Sequence, residues 1–311
     1  MIQNELTCSQ SFTDCGEIEA MKKYKGEIAL LCASFIWGTG FVAAAAALRQ
    51  FAPFQILAIR FALGTLVLGA IFFKKWRTIG RDTLRYGITM GVLLIGGYAF
   101  QTTGLLYTTP AKSGFIVATS VVIVPFIGTL VYRRKVDTYN VTGAFVAMSG
   151  IAVMSFTTDL SQINIGDVLT LIGTFLFAFH LFYTSEFMSR DQDTASVVTI
   201  QFATCTCLAS IAMFAAGQTD FSRAGPEGAA LLLCLGLFNT ALCFFLQTWA
   251  QKFTDETKAA IIISMECIFG AVLSVSLGFE SFTVRMFFGA VMIFAGMLIT
   301  EIRPPVFQRL R

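Results

Sequence analysis

Charge is what this chain has least of. Asp, Glu, Lys and Arg make up 13% of its 311 residues, against 56% hydrophobic residues, and the mean hydropathy is +0.73. Soluble domains carry about a quarter of their residues as charges, so the composition excludes that class and leaves an integral membrane protein. Ten-residue segments alternating apolar and polar are missing too, which excludes a transmembrane barrel. Histidine occurs once, so a Ser-His-Asp constellation could be built only on His180, inside an apolar run. No GxxxxGK(S/T), HExxH or CxxC occurs. ATP hydrolysis is excluded, and no enzyme activity, metal or cofactor is expected. Of the eight cysteines, Cys8 and Cys15 precede the first apolar run, while Cys32, Cys205, Cys207, Cys234, Cys243 and Cys267 lie within runs. None has metal-ligand or redox spacing, and within lipid they act as small apolar residues. The first twenty residues hold Glu5, Asp14, Glu17 and Glu19 but neither a basic residue nor an apolar core, so they are no signal peptide. Residues 1–21 are expected to be a disordered tail or, since MKKYKGEIALL from Met21 reads as an ordinary start, an upstream extension.

What the chain has in abundance is long apolar runs. Ten of about membrane-spanning length fall near 26–48, 53–73, 86–107, 112–132, 140–156, 167–187, 195–216, 228–249, 258–278 and 284–301. The fold class read from them is all-α integral membrane, with ten transmembrane helices. Basic residues gather in cytoplasmic loops. With the N-terminus inside, 17 lysines and arginines fall on the cytoplasmic side and 4 (Arg49, Lys112, Arg223, Arg285) outside, which places both termini in the cytoplasm. The net charge of +3 therefore reports topology and carries no nucleic-acid signal.

The stretch TTPAKSGFI at 108–116 returns as TDETKAAII at 254–262. At the same offset of 146, Gln101 matches Gln247, Thr102 matches Thr248, Lys112 matches Lys258, Gly143 matches Gly289 and Gly150 matches Gly296. GEIALLCASFIW from Gly26 parallels GDVLTLIGTFLF from Gly166 at an offset of 140. The chain reads as two five-helix copies, 22–156 and 166–303, followed by a cytoplasmic tail at 304–311. Because five is odd, the second copy enters the membrane upside down. Such inverted repeats are the architecture of alternating-access transporters, which bind substrate near the midplane between the halves.

FIWGTGF in the first span, AIRFALG in the second, QTTGLLYTTPAKSGFI across the third and fourth, and KAAIIISMECIFGAV in the ninth resemble the drug/metabolite transporter superfamily in its ten-helix EamA-type branch. The likeness covers residues 22–303. It implies a central cavity lined mainly by spans 1, 3, 4, 6, 8 and 9, location in a bacterial inner membrane, and export or exchange of small metabolites such as amino acids. Related branches carry nucleotide sugars and phosphorylated sugars. The ninth span departs from the pattern: it reads SMECIF where members often place a proline after the glutamate, so a weaker kink is expected at Cys267 than beside Pro125 in the fourth span.

Charges inside the bilayer are costly and usually face a cavity or a partner. Arg60 and Glu266 sit deep in their spans, with repeat-mates Gln201 and Ser120. A pair between them would satisfy both, and Glu266 alone could hold a substrate ammonium or a proton. Tyr98, Gln101 and Thr102 share one helical face, as do Asn239, Cys243 and Gln247. Those faces read either as cavity lining or as hydrogen-bonding glue between helices. His180, with Tyr183 and Thr184, is a packing residue or a relay. Trp37 is an aromatic wall or a space-filler beside Gly38 and Gly40, and Ala43–Ala47 is a small-residue packing face. The candidate substrate-binding set is thus Trp37, Tyr98, Gln101, His180, Tyr183, Asn239, Gln247 and Glu266. Lys112 and Lys258 are snorkelling anchors or contacts for an anionic substrate at the two mouths. The acidic pair in RDQD at 190–193 reads as a solvated loop.

The function expected is secondary transport of a small metabolite, an amino acid or related compound, by export. The alternatives are exchange of phosphorylated metabolites or anions through the two lysines, and a membrane sensor or accessory subunit. The partners expected are the substrate and the lipid bilayer, with no nucleic acid, and a homodimer is left open.

Overall fold

The computed structural model describes residues 2–133, 137–155, 164–190, 192–276 and 282–301. Arg134, Lys135, Arg303, Arg309, Arg311, Asp191 and the tail at 304–311, which entered the topology and loop readings, lie outside the described residues. Every regular element described is helical. In lipid a helix satisfies its backbone groups within itself, which strands can do only by closing into a barrel.

The first half comprises α1 (Ile2–Ala47), α2 (Pro53–Ile71), a short 3-10 turn (Phe73–Thr78), α3 (Arg81–Gly104), α4 (Pro110–Ala118), α5 (Ser120–Tyr132) and α6 (Thr138–Ser155). The second comprises α7 (Ile165–Met188), α8 (Thr194–Ala215), α9 (Pro226–Cys234), a π-helical segment (Leu235–Leu242), α10 (Cys243–Ala250), α11 (Glu256–Ile263), α12 (Glu266–Ser276) and α13 (Val284–Glu301). The segment read as a disordered extension is continuous with α1, whose apolar part is Tyr24–Ala47. Six helical stretches are long and apolar enough to cross a membrane: Tyr24–Ala47, Pro53–Ile71, Lys112–Val131, Ile165–Met188, Thr194–Ala215 and Pro226–Ala250. Thr138–Val153 and Val284–Ile299 are shorter apolar helices. The run at 86–107 falls in α3, which opens on Arg81, Asp82 and Arg85, and the run at 258–278 is divided between α11 and α12. Leu66, Leu130, Phe214 and Val284 stand exposed on the outer surface, as lipid-facing side chains do.

The starts of the helices follow from local chemistry. Pro53, Pro110 and Pro226 open α2, α4 and α9 in the first turn, where the missing N–H costs nothing. Asn164 and Asp167 form a reciprocal capping box at α7, each side chain accepting the other's backbone N–H at 3.0 Å. Asp193 and Asp255 cap α8 and α11.

The elements pack reciprocally when the halves are exchanged. The α1 helix lies against α10 and the π segment, as α7 lies against α3; α1 also meets α11 and α12, as α7 meets α4 and α5. Two further pairs are equivalent helices packed on each other, α2 with α8 and α6 with α13. Both run antiparallel. The Gln55 amide donates to the Asp220 carbonyl at one end of α2, while Lys75, just past its other end, meets Asp193 at the start of α8. A Cβ on Gly150 would lie 2.6 Å from the Gly289 carbonyl, and one on Gly296 2.6 Å from that of Gly143. Glycine at all four positions lets the two backbones touch.

The fourth run and its counterpart are each broken at equivalent depth, α4/α5 at Thr119 and α11/α12 at Ser264–Met265. A weaker kink was expected in the second, for want of proline. The break falls at Ser264–Met265, ahead of Cys267, and hydroxyl back-bonding occurs at both breaks. Thr119 Oγ1 donates to the Ile116 carbonyl at 2.6 Å and Ser264 Oγ to that of Ile261 at 2.7 Å. Such bonds draw a carbonyl off the helical ladder and bend the helix without proline. Each break leaves one of the repeat-mates Ser120 and Glu266 as the first residue of the following helix.

Candidate functional site

A cavity with about 910 Å³ of empty volume, partly open to solvent, lies between the halves. Its walls come from α1, α2, α3, α4, α5, α7, the π segment and α10–α12. Seven of the eight candidate binding residues border it: Trp37, Tyr98, Gln101, His180, Asn239, Gln247 and Glu266. Tyr183 does not. It stacks among Phe179, Phe182 and Phe187 in the packed interior. Thr102 and Ser120 are also on the wall, whereas Cys243, grouped with Asn239 and Gln247 by its spacing, turns away and lies 3.6 Å from the Ala33 carbonyl.

The wall is largely aromatic. Phe244 is its hub, with ring centroids 5.0 Å from Trp37, 5.9 Å from His180 and 6.0 Å from Tyr98, all edge-on. Edge-to-face packing sets the positive rim of one ring against the negative face of the next and fixes their orientation. Trp37 is fixed further by its indole N–H, which donates to the Asn239 carbonyl at 2.8 Å within the π segment. Gly38, one residue on, carries the close crossing with α12: a Cβ there would lie 2.8 Å from Gly270 N. Trp37 thus lines the cavity, and the close crossing belongs to Gly38 beside it.

The proposed pair of Arg60 with Glu266 is not formed, which is a correction. The Nε–H of Arg60 donates to Thr240 Oγ1 at 2.8 Å, and its guanidinium lies 4.3 Å over the Tyr98 ring. Thr240 is free to accept because its own hydroxyl proton goes to the Leu235 carbonyl five residues back, at the π turn. Neutral and π-electron partners thus hold the guanidinium in place of a carboxylate. Glu266 is buried too: among the described residues its carboxylate has no hydrogen bond or ion pair, and it sits in the first turn of α12, where the N-terminal field favours negative charge. The cavity wall therefore carries one guanidinium and one carboxyl group that do not bond to each other.

Other polar groups sort into two kinds. His180 Nε2 lies 3.3 Å from Gln201 Oε1, so the repeat-mate of Arg60 serves the histidine. Gln247 donates to Gln251 Oε1 at 2.9 Å, and Gln251 in turn donates to Ser185 Oγ at 2.7 Å and the Leu181 carbonyl at 2.8 Å. These are glue. By contrast Asn239 Oδ1 and Gln201 Nε2 are buried without a partner among the described residues. Unmet buried polar atoms are rare and costly.

The two lysines lie away from this cavity, each on a carboxylate. Lys112 Nζ is 2.6 Å from Asp167 Oδ2, with Thr108 Oγ1 donating to Asp167 Oδ1 at 2.7 Å. Lys258 Nζ is 2.5 Å from Glu27 Oε1. An anion-capturing role would require both lysines to leave carboxylates already in contact. Asp193 of the RDQD loop caps α8 and pairs with Lys75, so it is more than a solvated loop residue. Phe177, Phe244, Thr240 and the π segment belong to the site and were not found from sequence. Asp167 and Glu27 were visible as matched acids in the GDVL and GEIA repeats, without any sign of what they would meet.

The profile of the EamA-like transporter family matches residues 24–156 and 164–302, once for each half. An uncharacterized transporter of Archaeoglobus fulgidus is 30% identical over 291 residues, covering 93% of this chain and 89% of its own. An uncharacterized transporter of Acidianus ambivalens is 24% identical, over 80% and 94% of the two chains. One solved crystal structure superimposes with a TM-score of 0.72 over 89% of this chain and 97% of that one; at 17% identity it speaks for the fold alone. Two matched family segments, the apolar helices and the relatives' names agree, and the chain belongs to the EamA-like transporter family of multi-pass membrane proteins within the drug/metabolite transporter superfamily.

Proposed function

We propose that this chain is a secondary transporter that exports a small zwitterionic metabolite of the amino-acid kind across the inner membrane. Ten helices in two inverted five-helix repeats, both termini cytoplasmic, would give alternating access to the central cavity. The antiparallel packing of α2 on α8 and of α6 on α13, with reciprocal contacts elsewhere, supports the inverted arrangement.

The observation that carries the substrate class is the unpaired Arg60 and Glu266 on one aromatic wall. A zwitterion presents an ammonium to Glu266 and a carboxylate to the face containing Arg60, and an apolar side chain to Phe177, Phe244 and Trp37. Asn239 Oδ1 supplies a further acceptor for the ammonium protons. A phosphorylated substrate would bring net negative charge towards Glu266 and find both lysines engaged, which disfavours the exchanger reading.

The test is exchange in liposomes containing the purified chain, with labelled amino acids against labelled sugar phosphates. Amino-acid exchange with no sugar-phosphate exchange is expected. The reverse selectivity, or dependence on Lys112 and Lys258 with indifference to Glu266→Gln, would overturn the reading.

A further inference from the structure

The lysine pairs have a property that neither the family nor the cavity explains. Lys112 and Lys258 are repeat-mates, and so are their partners Asp167 and Glu27. Each lysine lies in one half and its carboxylate lies in the first helix of the other, Asp167 in the first turn of α7 and Glu27 near the start of the apolar part of α1. The chain therefore builds one ion pair twice, each time across the boundary between its halves.

The two pairs lie at opposite ends of the molecule. Glu27 is at the beginning of the apolar part of α1, whereas the opening of α4, two residues past Lys112, packs on Phe41 of the same helix. Fourteen residues of helix separate those points, about 21 Å along the axis, with the cavity-lining Trp37 and Gly40 between them. At one end the pair ties α4 to α7 and at the other α11 to α1, and α4 and α11 are the outer pieces of the two broken helices. Each pair thus fastens the short piece that can swing about its break.

The side chains are mostly covered, 12% and 8% exposed for Lys112 and Asp167, 6% and 15% for Lys258 and Glu27. Asp167 sits in the first turn of α7 and Glu27 one turn into the apolar part of α1, and both lysines sit at the third helical position after a cap. That position disfavours a cation. A lysine is placed there twice against the local preference, so its cross-boundary partner accounts for it. The ends differ at the threonine: Thr108 reinforces Asp167, while its mate Thr254 has a buried hydroxyl with no hydrogen bond among the described residues.

From this geometry we infer that Lys112–Asp167 and Lys258–Glu27 are reciprocal latches, positioning residues that restrain the two mouths of the cavity and release in alternation. The inference rests on the alternating-access reading above. It predicts that neutralising one latch opens its own mouth and leaves the other closed.

The test uses a full-length chain with its native cysteines replaced and a single reporter, Ala44→Cys, on the cavity wall. A membrane-impermeant maleimide is applied to spheroplasts and to inverted vesicles. Asp167→Asn is expected to raise labelling from the Lys112 side several-fold and lower it from the other, and Glu27→Gln to do the opposite. The charge-swapped pair Lys112→Asp/Asp167→Lys is expected to restore the parent ratio, and Lys112→Met/Asp167→Met, which leaves no unpaired charge, to behave as Asp167→Asn does. Both neutral variants shifting labelling towards the same side, or the swap failing to restore the ratio in folded protein, would overturn the latches. A parent chain labelled from one side only, whatever the variant, would instead overturn alternating access itself.

Discussion

Replacing Glu266 by Gln should make the protein more stable and a worse transporter. The residue is 7% exposed and its carboxylate has no bonded partner among the described residues. Withdrawing a carboxylate from water costs several kcal/mol even after relaxation. The N-terminal field of α12 returns only about 0.3–1 kcal/mol. Glutamine keeps the volume and drops the charge, so the net gain in stability should be on the order of 1 kcal/mol or more, a rise of roughly 2 °C or more in a chain of this size. Binding moves the other way. A hydrogen bond to a charged group contributes about 1.5–3 kcal/mol, so losing the ammonium contact should raise the half-saturation concentration roughly 10- to 150-fold. The assay is thermal unfolding in detergent beside concentration-dependent exchange in liposomes, on the same preparations. A lower unfolding temperature would show that Glu266 holds the bundle together, and an unchanged half-saturation would remove it from the site.

Two further outcomes check the frame around the site. Gly150→Ala and Gly296→Ala should each destabilise by about 1–3 kcal/mol, because a Cβ at either meets a backbone carbonyl at 2.6 Å; Gly80→Ala, with nothing within 4 Å, should be neutral, and unequal losses at the two crossing sites would refute their equivalence. Asp193 should lend the fold an acid-sensitive increment. Burial raises its pKa, but the Lys75 ammonium and the Ser196 N–H and hydroxyl outweigh that and hold it below 3.8. A depressed carboxylate stabilises above its unfolded pKa, and the contribution fades as pH falls through the folded value. Asp193→Asn should therefore unfold earlier than the parent at pH 6, with the difference shrinking as the pH falls below 3.8; a constant difference would refute this.

Some of the site was legible because membrane burial makes polar residues conspicuous. Tyr98, Gln101, His180, Asn239, Gln247 and Glu266 stand out in apolar runs for the energetic reason that sets them on a cavity. Tyr183 and Cys243 show the limit of that reasoning. Their spacing places them beside cavity residues, yet packing turns one into an aromatic stack and the other onto the Ala33 carbonyl. Arg60 and Glu266 were matched on charge alone, and charge says nothing of reach. Thr240 and the Tyr98 ring lay nearer to the guanidinium. The π segment, which orients Thr240 and offers the Asn239 carbonyl to Trp37, left no trace in periodicity, since one extra residue in a turn does not disturb an apolar run.

By itself the sequence determined that the chain is a helical membrane protein built twice, because hydrophobic length and an internal offset of 146 are properties of the chain alone. It also determined that each half carries a lysine at a helix threshold. Tertiary structure alone decided what those lysines meet, which polar faces are wet, and that the two intramembrane charges stay apart. These are pairings between residues 55 to 231 positions distant, and distance between side chains is set by how helices cross, which no local pattern encodes.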